Sequence, residues 1–159
     1  MREIFGYAPS LIVFLHVFSA VLWVGGMVAL RFALHPNLTC VENGPNRMLL
    51  GLQTMKKFFS IMSVFIVIIV STAVLIVIAM DFKAIGLSGL VHAKETIWTI
   101  MTVNFIYMNI IRNKAQKLYE SKSFEEAKAK MGLISSKLIP LNIALGICAI
   151  YLGVVLRGW

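Results

Sequence analysis

Two histidines, His16 and His92, lie inside long apolar stretches of this sequence. An ionisable side chain within a bilayer is costly, about 2.5 to 3.5 kcal/mol for Lys, Arg or Asp at the centre of a span, so such residues mark functional sites. His16 follows Pro9 by seven residues and His92 follows Leu87 by five. At a rise of about 1.5 Å per residue, both imidazoles lie roughly 7 to 11 Å inside the same leaflet.

The matched depth of the two histidines favours a shared cofactor. Two histidines at one depth on facing helices can supply both axial ligands of a haem iron. The simpler alternative is that each neutral imidazole only hydrogen-bonds a neighbouring helix, since it needs one donor and one acceptor. We predict that His16 and His92 ligate one haem b.

On the helix faces that carry these histidines, the side chains close to the imidazole are small or bear a hydroxyl. With about 100° of rotation per residue, positions three, four and seven residues further along share the face of the histidine. A flat ring can lie against such a face. The predicted lining of the cofactor site is Ser19, Trp23, Thr96 and Thr99.

Lys94 is a further ionisable residue of the same apolar region. Lys94 follows His92 by two positions, and two steps of about 100° place it about 200° round the helix. The residues that share its face of the helix, which we call the Lys94 stripe, include Trp98, Met101 and Phe105. His92 and Lys94 therefore cannot both point at one metal, and with His92 facing span one, Lys94 is expected to face away.

The composition places these residues in an integral membrane protein. Of 159 residues, 59% are hydrophobic and 14% are charged, against roughly 45 to 50% apolar residues in soluble domains. The mean hydropathy is +0.86. We predict an all-α, antiparallel four-helix bundle formed by one domain, residues 1–159, with lipid as its surroundings. The predicted spans are about 9–34, 58–80, 87–111 and 138–156.

The basic residues indicate an orientation in the membrane. The chain has 15 Lys and Arg against 7 Asp and Glu, a net charge of +8. Four of the basic residues lie between Arg31 and Lys57, and seven lie between Arg112 and Lys137. Because short cytoplasmic loops are rich in Lys and Arg, loops 35–57 and 112–137 are expected in the cytoplasm and both termini outside. Topology explains the charge better than nucleic-acid binding.

Other metal chemistry has less support in the sequence. Cys40 and Cys148 have no CxxC spacing, and the nine methionines include no MxxM or MxM cluster. His35 precedes Pro36 at the predicted membrane boundary and is free to face water. Thiolate and soft-ligand copper sites are therefore not favoured.

The first span, LHVFSAVLWVGGMVALRFALHP, resembles the opening of the HemJ-type family of small bacterial membrane proteins. That family has four or five helices and is linked to protoporphyrinogen oxidation. Its first helix carries Leu-His, a Trp seven residues later, a Gly, and then Arg and His. The matching residues are His16, Trp23, Gly26, Arg31 and His35.

The third span, GLVHAKETIW, is similar to the Leu-His-x-Lys segment of the same family, and Pro140 to the proline that opens its last helix. The resemblance implies that Lys94 is a catalytic residue. A second resemblance is to CopD-like copper-resistance membrane proteins, through the first helix and through Lys94, Asn109 and Arg112 of the third.

These patterns predict a b-type haem protein that transfers electrons to a quinone or a membrane redox partner, because the loops carry no nucleotide-binding motif. The expected location is the bacterial inner membrane, crossed several times. HemJ-like oxidation, copper handling and a structural subunit are the alternatives, and the sequence leaves a homo-oligomer open.

Overall fold

The structure is a computed structural model that describes residue 6, residues 8–79 and residues 88–156. This part of the chain is helical and contains no strand, which confirms the predicted all-α class. Met80 and Leu87, where two of the predicted spans end and begin, lie outside the described residues. The four long helices are α1, Pro9–Cys40; α2, Gly44–Ala79; α3, Ser88–Glu120; and α4, Phe124–Val155.

The helices extend well beyond the predicted spans, into the segments expected to be basic loops. α2 begins at Gly44 and α4 at Phe124, each 14 residues before the predicted span, and α3 continues to Glu120. The α2 start is capped, since the Asn43 side chain accepts a hydrogen bond of 3.2 Å from the Asn46 amide. Hydropathy marks only the apolar part of a helix, so it does not detect these charged extensions.

α1 and α4 each contain one π-helical turn, at Leu30–Leu34 and Ile134–Leu138. In both helices a proline comes two residues after the turn, Pro36 and Pro140. Proline has no N–H to donate, and its ring clashes with the carbonyl four residues earlier. A wider turn just before the proline relieves that clash.

Three helices, α1, α2 and α4, are long and apolar enough to cross a membrane. Their outward side chains are largely apolar, as Phe14, Val67 and Ile147 illustrate. α3 is not among these three, because His92, Lys94, Glu95 and several amides and hydroxyls make it more polar. The chain is thus suited to lipid contact, and a fourth span remains a prediction.

The four helices form a ring in which each packs on its neighbours. α1 packs on α2 and α4, and α3 packs on the same two helices, so α1 and α3 stand diagonally across the bundle. Large side chains from α1, α2 and α3 meet at the centre, among them Trp23, Met27, Phe59, Phe105 and Met108. We call the end where α1 begins the Pro9 end, and the opposite one the Cys40 end.

Candidate functional site

His16 is the inward-facing histidine at the Pro9 end, and α2 fixes its orientation. Its Nδ1 lies 3.0 Å from the Thr72 hydroxyl oxygen. That hydroxyl lies 2.7 Å from the Ile68 carbonyl and 3.1 Å from the Ile69 carbonyl of its own helix. Thr72 has one proton to donate, and it goes to the backbone. Its oxygen therefore accepts from His16.

This contact determines which ring nitrogen of His16 is free. Because the Thr72 proton is assigned to the backbone, we assign the proton of the neutral imidazole to Nδ1, from which it donates to Thr72, and the free lone pair to Nε2. A hydrogen bond at one ring nitrogen that holds the other ready for a metal is the usual arrangement of a metal-ligating histidine. His16 thus has the tautomer that a metal ligand requires.

Lys94 lies inside the bundle beside His16, opposite to the expectation from the sequence. Its ammonium lies close to Gly153 of α4, at 3.0 Å from where a Cβ on that glycine would be. It also lies within Coulombic range of the His16 imidazole. Among the described residues Lys94 has no hydrogen-bond or ion-pair partner. The described residues of the Pro9 end therefore place a cation next to an imidazole and pair no carboxylate with it.

His92 lies on the outward face of α3, so the structure does not bring the two predicted ligands together. Its side chain is 71% exposed, and its Nδ1 lies 3.0 Å from the Glu95 carboxylate. Thr96 and Thr99 are exposed on the same face, and their hydroxyls bond carbonyls of α3 itself. His92 and Lys94 lie on opposite faces of α3, as expected, but the face that points into the bundle is the one that carries Lys94.

Residue size explains which stripe of α3 faces inward. The Lys94 stripe continues through large, flexible or aromatic side chains that fill the core, Met101, Phe105 and Met108, whereas the His92 stripe continues through exposed Val103 and Ile106. Long flexible side chains fill irregular core space better than β-branched ones. This size difference was present in the sequence and could have identified the core stripe.

Ser19 and Trp23, predicted to line the cofactor site, face the interior below His16. They are 1% and 2% exposed. The Ser19 hydroxyl oxygen and the Trp23 indole nitrogen have no hydrogen-bond partner among the described residues. Two buried polar groups of α1 therefore remain unpaired in the protein interior.

Aromatic and thioether side chains close the core beneath this layer. The Phe105 ring packs edge-on against Trp23, with centroids 6.1 Å apart, and against Phe59 at 5.3 Å. Met62 and Met101 are buried in the same cluster. Methionines that form no sequence motif thus meet in space, which sequence reasoning missed.

An amide pair between α3 and α4 was also missed. Asn104 donates to Asn142 Oδ1 at 2.7 Å and to the Leu138 carbonyl at 2.9 Å, and Asn142 donates to the Met101 carbonyl at 3.2 Å. Both amides are buried. Asparagines in apolar spans commonly join helices in this way, and that was the available signal.

Arg112 closes the interior at the Cys40 end, where it is buried and donates through two nitrogens to the Leu52 carbonyl at 3.2 and 3.1 Å. His35 lies at this same end, exposed, on the rim of a cavity of about 10 Å³. No group of three or more His, Cys, Asp or Glu side chains among the described residues could hold a metal ion. The polar layer around His16 is therefore the candidate site.

Comparison of the chain with protein-family models, with curated proteins and with solved structures finds no match. The resemblances to HemJ-type and CopD-like proteins consequently rest on the residues quoted above.

Proposed function

We propose that this chain is an integral membrane redox protein that binds a b-type haem at the Pro9 end, with His16 as an axial ligand. The observation that carries the proposal is the inward His16 ring, whose Nδ1 lies 3.0 Å from the Thr72 hydroxyl, a contact that assigns the free lone pair to Nε2. An ionisable residue built into the interior of an apolar bundle is a functional site by default. Haem supplies one-electron chemistry when it is bound.

The residues at the Pro9 end fit a haem in their chemistry. His16 would hold the iron, and the Lys94 ammonium is the nearby cation for a propionate. The Trp23, Phe59 and Phe105 rings fill the core beneath these two residues. Gly153 contributes no side chain to this layer.

The outward position of His92 changes the expected ligation. Because His92 is exposed, His16 is the one histidine of the predicted pair that would hold the group. Electron exchange with a quinone or a membrane redox protein remains our first proposal, in a bacterial inner membrane. The proposal includes four membrane crossings, with both termini outside the cytoplasm.

Histidine variants test the haem assignment. We expect His16→Ala to remove most haem and His92→Ala to retain it, because only His16 faces the interior. The measurement is pyridine-haemochrome content and the dithionite-reduced spectrum of purified protein, with insertion checked by membrane fractionation. Unchanged haem in the His16 variant would contradict the assignment. Colourless wild-type protein that retains copper would favour copper handling by the buried methionines instead.

Oxidation of a tetrapyrrole is the second candidate, and the inward Lys94 favours it. The HemJ resemblance implies a catalytic lysine at this position, and the structure has this ammonium beside His16. Lys94→Met keeps most of the stem and deletes the charge. If the chain is such an oxidase, wild type restores growth of a strain lacking protoporphyrinogen oxidase and Lys94→Met does not, while haem content stays nearly unchanged. Haem-loaded wild type that fails to restore growth would exclude the oxidase.

A further inference from the structure

The outward face of α3 has a regular row of exposed residues. From His92 to Glu120, exposed residues recur at alternating steps of four and three positions. We call this row the His92 stripe. A row with these steps stays on one side of a helix over many turns, which is the spacing that packs one helix along another.

The middle of the His92 stripe is β-branched at five successive positions, Thr96, Thr99, Val103, Ile106 and Ile110. The two threonine hydroxyls donate to carbonyls of α3 itself at 2.9 and 2.8 Å, so they need no other partner. β-branched side chains have few rotamers to lose when they are packed. Because helices associate in lipid through van der Waals packing rather than through hydrophobicity, this part of the stripe suits close contact with another helix.

Each end of the His92 stripe has an acid and a base three residues apart. At the Pro9 end these are His92 and the flanking Glu95, whose side chains are 71% and 42% exposed. At the Cys40 end they are Lys117 and Glu120, both exposed. Ionisable side chains of membrane helices almost always face protein or water rather than lipid. A face with both signs of charge at each end is complementary to a second copy of itself.

The outward face of α2 has the same spacing without this complementarity. Its exposed row runs through Lys57, Ser60, Val64, Val67 and Ser71, again in steps of three and four. α2 contains no Asp or Glu, so two copies that met along this row would place lysines against each other. The distribution of charge therefore selects α3 rather than α2 for contact between copies.

We propose that two copies of this chain form a dimer through the His92 stripe, about a two-fold axis along the membrane normal. Two copies inserted in the same orientation bring their α3 helices together in parallel, so each stripe residue faces its own counterpart. In the packing of parallel helices with this spacing, Lys117 of each copy lies beside the partner's Glu120. The dimer also removes His92 and Glu95 from lipid. The proposal rests on the membrane setting of the protein and not on haem binding.

Disulfide crosslinking in membranes tests the dimer. In a Cys40→Ala, Cys148→Ala background, Val103→Cys and Ile106→Cys are compared with Val67→Cys of α2 under mild oxidation. Val103 and Val67 are matched, being 60% and 66% exposed. Stripe positions that face each other across the axis come within the Cα separation of a disulfide, about 4.4 to 6.8 Å. We therefore expect a disulfide-linked dimer from the α3 variants and only monomer from Val67→Cys. Equal crosslinking on α2 and α3, or none at either α3 position, would overturn the proposal.

Charge exchange tests the same interface without cysteines. Lys117→Glu leaves only acids at the Cys40 end of the stripe, and Glu120→Lys leaves only bases. Because the symmetric interface contains this ion pair twice and each variant turns attraction into repulsion, the dissociation constant of the dimer is expected to rise about tenfold in each. The measurement is light scattering of purified protein on dilution in a mild detergent.

A mixture of the two charge variants is expected to dimerise as wild type does, because opposite charges again face each other across the axis. Lys57→Glu makes the same charge change at an exposed lysine of α2 and is the control, expected to leave the dissociation constant unchanged. Monomeric wild-type protein, or a dimer that both stripe variants leave unaltered, would refute the proposal and leave this face to lipid or to a different protein. Each outcome can be read whether or not the protein carries haem.

Discussion

At the scale of single residues, Thr72 determines what His16 can do. A serine or threonine in an apolar helix usually satisfies itself on its own backbone, and Thr72 does so while also accepting from the imidazole. That double role fixes both the ring orientation and the tautomer. Ser71, the preceding residue, has the same bond to its own helix but is exposed.

If His16 holds haem as proposed, Thr72→Val weakens haem binding by about 10- to 100-fold, because hydrogen-bond partners of a ligating histidine commonly contribute that much to affinity. Valine has nearly the shape of threonine, so the packing of α1 on α2 is retained. The measurement is haem titration of the purified protein, with ring ¹⁵N shifts of His16 to report the tautomer. Ser71→Ala is the matched control and is expected to change neither. A Thr72→Val protein with wild-type affinity would show that this hydroxyl does not support the ligand.

The residues of the candidate site were predictable only in part. His16, Ser19 and Trp23 share one face of α1, and helical periodicity alone placed them together. Periodicity also separated His92 from Lys94, but it does not say which of two opposite faces is buried. The sizes of Met101, Phe105 and Met108 were the available signal for that choice, and in the packed bundle these side chains fill the core between the other three helices.

At the scale of helices, buried amides join α3 to α4 near the π-helical turn. The Leu138 carbonyl that Asn104 reaches belongs to that turn. The amide of Asn104 thus adds a hydrogen bond from α3 to a carbonyl of the widened turn. The sequence contained the proline and the asparagines but not their contact, because residues 104 and 138 are far apart along the chain.

Asn104→Leu is expected to destabilise the bundle by about 1 kcal/mol, the usual size of an interhelical hydrogen bond in membranes. Asn109 provides a matched control on the same helix, since its side chain bonds only the Phe105 carbonyl of α3 at 3.1 Å. Unfolding of each variant by a denaturing detergent, followed by circular dichroism, compares them. If Asn109→Leu costs as much as Asn104→Leu, the bond to α4 is not what stabilises the pair.

At the scale of the whole molecule, hydropathy was sufficient to predict helices that pack as an antiparallel bundle. It located the apolar part of each helix and missed the polar extensions, because those are stabilised by caps, by helix propensity and by packing at the Cys40 end. The side of the membrane on which that end lies is a matter of charge rather than of packing. Basic residues cluster there on both connections, which predicts a cytoplasmic position.

Thiol labelling tests this orientation and the fourth crossing together. Cys40 is exposed at the end of α1, and Ser121 is exposed in the turn between α3 and α4. Gly51 and Met131 lie close together across these connections, so both turns are at one end of the bundle. Two proteins with a single cysteine are made in a Cys148→Ala background: one keeps Cys40, and the other carries Ser121→Cys with Cys40→Ala. Each is treated with an impermeant maleimide in right-side-out and in inverted vesicles. We expect both thiols to react only in inverted vesicles, where the reagent reaches the cytoplasmic face. Reaction of the two thiols from opposite sides would mean that α3 does not cross, whereas reaction of both in right-side-out vesicles would keep four crossings and reverse their orientation.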